Sequence, residues 1–176
     1  MEKILVVVDM QNDFITGSLG SYAAESIVDN VIEKIKNFDG KIFVTQDTHY
    51  PSYLDTREGH LLPVPHCIEG TPGWELSSKV TKVLSEKQYF TIKKQTFGSK
   101  ALPLLIKDYT LCNEKELVIE FVGLCTDICV ISNALITKAY LPEAKLVVDS
   151  SCCAGTTVDN HQAALTTLKN CHVEII

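Results

Sequence analysis

An α/β fold is predicted for this chain: three layers, α-β-α, around a six-stranded, mostly parallel sheet. Two features of the sequence lead there. Apolar runs of strand length recur along the chain, and the segments between them carry apolar residues at helical spacing. Strands buried on both faces read as continuous apolar runs, and parallel neighbours need a crossover helix between them. A third feature locates the business end, because the runs stop at polar residues. In an open α/β sheet, ligands bind outside the carboxyl ends of the strands.

The elements follow in order. Residues 4–8 form an apolar run ending at Asp9, and residues 42–45 form a second ending near Asp47. Between them Ile27, Val28, Val31, Ile32 and Ile35 repeat at helical spacing, with Gly40 placed as the helix stop. A helix over 77–85, a strand over 89–93 and a helix over 100–109 come next. The run 117–122 is β-branched and aromatic, is bounded by Gly123, and leads into a helix for which Thr126 and Asp127 are N-cap types. Residues 146–148 form a strand leading to Asp149, 158–168 a helix, and 173–176 the closing strand.

Length and charge narrow the function classes. A chain of 176 residues is expected to form one domain, residues 1–176, with a substantial core. Sixteen Lys and Arg against 22 Asp and Glu give a net charge of −6, so no sequence-wide basic footprint for nucleic acid exists. The five apolar residues before Asp9 are too few for a signal segment or a membrane span, and a cytoplasmic, membrane-free protein is expected. Seven cysteines, an odd number with Cys152 and Cys153 adjacent, do not resemble a secreted disulfide framework.

Chemistry is concentrated at the strand ends. Cys129 falls in the first turn after the fourth strand, where backbone N–H groups and the helix dipole favour a thiolate and offer donors to an oxyanion. The rival reading is a small buried core residue, and Cys125 four positions earlier adds a redox or metal-binding pair. Asp9, Asp47, His49 and Lys94 lie on the same rim, where a lone Asp is otherwise a cap or turn residue. Lys93 is the other candidate lysine, but successive strand side chains face opposite sides, so one of the two points inward. The loop 46–73 holds Asp47, His49, Glu58, His60 and His66, and mixed imidazole and carboxylate donors suit Zn²⁺, Fe²⁺ or Mn²⁺. Loops of this length without structure of their own are functional or disordered.

Three segments carry a resemblance to a known family: Asp9-Met10-Gln11-Asn12-Asp13-Phe14, Lys94-Gln95-Thr96-Phe97-Gly98-Ser99, and Gly123-Leu124-Cys125-Thr126-Asp127-Ile128-Cys129-Val130. Together they resemble the isochorismatase-like cysteine hydrolases, with their Rossmann-like sheet, and within them the nicotinamidase-related branch. The resemblance implies a catalytic set of Asp9, Lys94 and Cys129, and a cis peptide between Leu124 and Cys125. It implies an oxyanion hole from the backbone N–H groups of Cys125 and Cys129. It further implies metal ligands at Asp47, His49 and His66 with Glu58 as a fourth or water-linked ligand, His60 being a spare candidate. Phe14, Leu124 and Phe97 are expected to line the substrate pocket, and Trp74 to belong to the core. The implied reaction converts nicotinamide to nicotinate and ammonia through a cysteine thioester, with a divalent metal, zinc first. Another small amide, a carbamoyl or a ureido compound is the alternative substrate, and a non-catalytic or thiol-redox protein the alternative class. Members of the superfamily are commonly oligomeric, so a homo-oligomer is expected. Asp13, Asp127 and His161 read as caps or structural polar residues.

Overall fold

The computed structural model describes residues 1–176. Its six strands are β1 (Glu2–Val8), β2 (Lys41–Asp47), β3 (Tyr89–Lys94), β4 (Leu117–Leu124), β5 (Lys145–Ala154) and β6 (Glu174–Ile175). The sheet runs in the order β3-β2-β1-β4-β5-β6, and every neighbouring pair is parallel. The helices are α1 (Asn12–Ile15), α2 (Tyr22–Ser26), α3 (Val28–Asn37), α4 (Arg57–Leu61), α5 (Ser78–Leu84), α6 (Ala101–Tyr109), α7 (Ile131–Tyr140) and α8 (Val158–Asn170). None is long and apolar enough to cross a membrane.

The apolar runs bury both faces of the sheet. In β1, Ile4, Val6 and Val8 enter one core with Phe121, Leu102, Ile106 and Leu168, so this face lies under α6, α7 and α8. Leu5 and Val7 enter the other with Val31, Ile35, Val80 and Leu84, under α3 and α5. The five residues from Ile4 to Val8 have no exposed surface, and each such side chain contributes roughly 1.5–3 kcal/mol relative to an exposed one. Pro103 is accommodated in α6 because it stands in the first turn, where a backbone N–H has no intrahelical partner.

Several local expectations are corrected. The helix α3 stops at Asn37, with Phe38 already extended, so Gly40 is not its stop. A Cβ at Gly40 would instead run into the Lys3 carbonyl oxygen, and glycine there serves close approach of two backbones. The strand β5 continues well past residue 148 to Ala154, because Asp149 in mid-strand is neutralised by Lys34 at 2.7 Å. The loop 46–73 holds a 3₁₀ turn (Tyr53–Asp55) and α4, whose first turn carries Glu58 and whose start is capped by the Thr56 side chain accepting the Gly59 N–H.

The strand order reverses between β1 and β4, the switch point of a doubly wound sheet. Val8 pairs with Gly123 there. Gly123 has φ +117°, and a Cβ on it would run into the Val8 carbonyl oxygen, so only glycine lets the two strand ends close up. Gly70 is also left-handed, φ +81°, but has open space around it. Gly123→Ala is therefore expected to cost about 3 kcal/mol or more in urea unfolding, from conformation and clash together. Gly70→Ala, with the conformational cost alone, is expected to cost about 1–2 kcal/mol; equal losses at the two positions would show that the Val8 contact does not matter.

Candidate active site

Four strand ends converge on one buried cation. The Lys94 Nζ, at the end of β3, lies 2.6 Å from Asp9 Oδ2, 3.2 Å from Asp47 Oδ1 and 3.5 Å from Cys129 Sγ. Strand alternation decides which lysine turns inward. Lys94 is 5% exposed, whereas Lys93 reaches outward to Glu69 at 2.6 Å and lies over the Trp74 ring. Trp74 itself packs against the α3 side core, as expected, and its indole N–H donates to the Thr48 hydroxyl at 3.0 Å.

Asp9 follows β1 with φ 47° and is fully buried. Its Oδ1 accepts the Thr45 hydroxyl at 2.7 Å, while Oδ2 has no hydrogen-bond partner beyond the ion pair with Lys94. That oxygen keeps a lone pair for an incoming proton. Burial pushes the Asp9 carboxyl above the usual carboxylate range, with Lys94 pulling the other way. Burial pulls the Lys94 ammonium down, but the charges of Asp9 and Asp47 more than offset it and hold the lysine protonated. Asp47 is also buried, yet hydrogen bonding to His49 and His66 and the charge of Lys94 keep it well below the usual range.

Cys129 sits on a single π turn (Thr126–Val130) between β4 and α7, and the peptide joining Leu124 to Cys125 is cis. The turn places the thiol 5% exposed on the cavity floor. Two local expectations fail here. Thr126 and Asp127 do not cap their own turn: the Thr126 hydroxyl pairs with His161 Nδ1 at 2.8 Å, and Asp127 accepts the Thr156 N–H at 2.8 Å. Both side chains tie the turn outward, to α8 and to the loop before it. Nor do the surroundings of Cys129 favour the thiolate. Burial, followed by the charge of Asp9, raises its pKa well above the ordinary cysteine value despite Lys94, and burial pushes the Cys125 thiol up to about 12.

Beside this group stand His49 and His66. His49 Nε2 is 3.1 Å and His66 Nε2 3.6 Å from Asp47 Oδ2, and the three ligand atoms lie within 4.8 Å of one another. Glu58 Oε1 reaches both rings, at 3.6 and 3.8 Å. His66 Nδ1 bonds to the Val64 carbonyl at 2.8 Å, which leaves Nε2 as the free face of the ring toward the carboxylates. This donor set, two imidazoles with one or two carboxylates, fits a divalent transition metal. His60 is exposed on α4 and takes no part in the group.

Phe14, Leu124 and Phe97 line a cavity of about 380 Å³ together with Ile128, His66 and Cys129. Phe14 packs on the His66 ring with centroids 5.6 Å apart, and Phe97 stands 48% exposed at the rim. A larger open groove of about 570 Å³ beside Lys34, Glu120 and Asp149 lies away from these residues and is polar surface held by ion pairs.

Two buried amides that the sequence reading passed over hold this constellation. Gln11 donates to the Asp47 carbonyl at 2.8 Å and accepts the Asp47 N–H at 2.7 Å, clamping the end of β2. Asn133 donates to the Cys129 carbonyl at 2.8 Å and accepts the Ser99 N–H at 2.9 Å, clamping the cysteine turn to the segment after β3. A polar residue at a core-facing helical position was the available signal for Asn133.

A sequence profile of the Isochorismatase domain matches residues 3–176. The chain belongs to the isochorismatase family. It is a hydrolase of that family with amidase-type structural neighbours. A curated relative, an uncharacterized isochorismatase family protein, PncA, of Bacillus subtilis (strain 168), is 28% identical over 184 residues, covering 97% of this chain and 96% of its own. Among solved structures, the nicotinamidase/pyrazinamidase PncA from Bacillus subtilis is similar with a TM-score of 0.86 and 26% identity, over 99% of each chain. The pyrazinamidase/nicotinamidase from Streptococcus mutans UA159 is similar with a TM-score of 0.83 and 27% identity, over 99% of this chain and 100% of that one.

Removing the central ammonium leaves two buried carboxylates without their cation. Lys94→Met is expected to lower unfolding stability by about 3–5 kcal/mol at neutral pH. Lys93→Met, which breaks an exposed pair, is expected to cost about 0–1 kcal/mol. Urea denaturation of both variants checks this, and comparable small losses would refute the central role of Lys94.

Proposed function

We propose that the protein is a cysteine amidohydrolase of nicotinamidase type, releasing ammonia from nicotinamide. The observation that carries this reading is the contact of one lysine with Asp9, Asp47 and Cys129 at the floor of an apolar cavity. A thiol is needed where a covalent intermediate is formed, and a buried carboxylate with a free lone pair is placed to deprotonate it.

In this mechanism the proton rests on Cys129 until substrate enters. Asp9 Oδ2 takes it as the sulfur attacks the amide carbon, and Lys94 offsets the charge that develops on both groups. Backbone N–H groups of Cys125 and Cys129 are the donors we assign to the tetrahedral oxyanion, each worth about 2.7–4 kcal/mol of barrier in comparable sites. Asp9 returns the proton to the departing nitrogen, ammonia leaves, and a thioester to Cys129 remains. Water, deprotonated by Asp9, attacks the thioester; the C–S bond breaks, Asp9 passes that proton to the sulfur, and the carboxylic acid leaves. Phe14, Phe97, Leu124 and Ile128 supply apolar walls for a flat ring.

Asp47, His49 and His66 would hold a divalent cation, with Glu58 as fourth or water-linked ligand and zinc best suited to the donors. Bound there, such a cation supplies an electrophilic anchor for a ring nitrogen of the substrate. The similar Bacillus subtilis and Streptococcus mutans proteins are nicotinamidase/pyrazinamidases, which supports this substrate class for a chain of the same fold and length.

Purified protein is expected to release ammonia from nicotinamide, Cys129→Ala to reduce release to background, and dialysis against a chelator to lower it, with recovery on adding zinc. A coupled ammonia assay measures all three. A folded, zinc-supplied enzyme that leaves nicotinamide intact would refute this substrate assignment and move it to another small amide.

A further inference from the structure

Asp13 belongs to neither the proton-transfer group nor the histidine group, yet the chain is built around its carboxylate. Its Oδ2 accepts the N–H of Cys67, the residue after His66, at 2.8 Å. Its Oδ1 accepts the Ser18 N–H at 3.4 Å. Two glycines keep space for this carboxylate: a Cβ on Gly17 would fall 2.5 Å from Oδ1, and one on Gly73 would run into the same group. The Asp13 backbone is pinned as well, its N–H donating to the Gly73 carbonyl and its carbonyl accepting the Leu19 N–H, both at 2.9 Å.

Cys67 is the residue through which this hold acts. It is buried at φ 47°, a left-handed conformation that residues with a Cβ rarely adopt. Its N–H is held by Asp13, and its carbonyl accepts the N–H of His49 at 2.9 Å. One peptide segment thus joins the two histidines, with Asp13 as its outer anchor. Phe14, the next residue along, bears on the His66 ring.

We propose that Asp13 is a positioning residue for the histidine pair, locking the left-handed turn at Cys67 that sets His66 against His49. The proposal rests on the reading of Asp47, His49 and His66 as metal ligands. Groups that orient ligands from outside typically change metal affinity 10–100-fold when removed.

The test measures zinc binding, by competition with a chromophoric chelator, in the full-length chain after metal removal. Asp13→Ala is expected to bind zinc at least ten-fold more weakly than the parent. Asp13→Asn, which keeps an acceptor oxygen for the Cys67 N–H, is expected to stay within about three-fold of it. Asp13→Ser, whose hydroxyl is too short to span to Cys67, stands in should the alanine variant not fold, with the same ten-fold loss expected. A role in stability alone would lower the melting temperature of the metal-free protein and leave zinc affinity at the parental value, and that result overturns the proposal. A parent that binds no zinc overturns it together with the metal-site reading, whereas a parent that binds and an Ala or Ser variant that matches it overturns the positioning role alone.

Discussion

A single buried ammonium governs the electrostatics at the carboxyl edge of this sheet. Asp9 and Asp47 are both shielded from water, and an uncompensated carboxylate in such surroundings costs several kcal/mol. Lys94 lies between them and is itself made tolerable by them, so neither the cation nor the anions persist without the other. The pairing still leaves one negative charge over, on the side of Asp47 that faces His49 and His66. Glu58 adds to that excess. A divalent cation among those donors is the electrostatic complement of the group, as well as its geometric one.

The sheet topology makes this arrangement possible. Consecutive parallel strands β1, β2 and β3 step outward in one direction, and β4 returns to lie on the other flank of β1. Asp9 and the Cys129 turn therefore leave neighbouring strand ends at the switch point, while Asp47 and Lys94 arrive from β2 and β3. The closeness of the first two depends on the backbone contact between Val8 and Gly123. What remains is side-chain support, and Gln11 and Asn133 provide it by hydrogen-bonding to peptide groups of Asp47 and Cys129 themselves.

The fold and the residues of the rim were legible in the sequence for one reason: strands buried on both faces must be apolar, so each run advertises its own end. That signal weakens wherever polar residues lie inside an element. β5 carries Asp149, Ser150 and Ser151 in mid-strand, and only the tertiary pairing of Asp149 with Lys34 makes a strand of them. The short helices α1, α2 and α4 are too brief to show helical periodicity: Ser21 and Thr56 cap α2 and α4, and the first N–H groups of α1 donate to the Glu75 and Gly73 carbonyls. Gly40 illustrates the same limit, since a glycine required by contact with Lys3 looks, in sequence, like one required by a helix end. For Cys129, helix ends and lysines are visible in a sequence and point toward a thiolate, while the burial that pushes its thiol pKa up is not.

That burial bears on how such a site can use a thiol at all. A free thiolate in water is ready to attack but is exposed to oxidants and stray electrophiles. Here burial and the Asp9 charge favour the proton on sulfur, and the Asp9 carboxylate, ion-paired to Lys94 through Oδ2, is the acceptor beside it. Burial raises the affinity of that carboxylate for the proton as well, so donor and acceptor are shifted in the same direction by the same cause. Transfer between them is then more nearly balanced than between a thiol and an ordinary solvated carboxylate. Burial thus acts on both groups at once: it disfavours the thiolate of the resting nucleophile and strengthens the carboxylate base beside it.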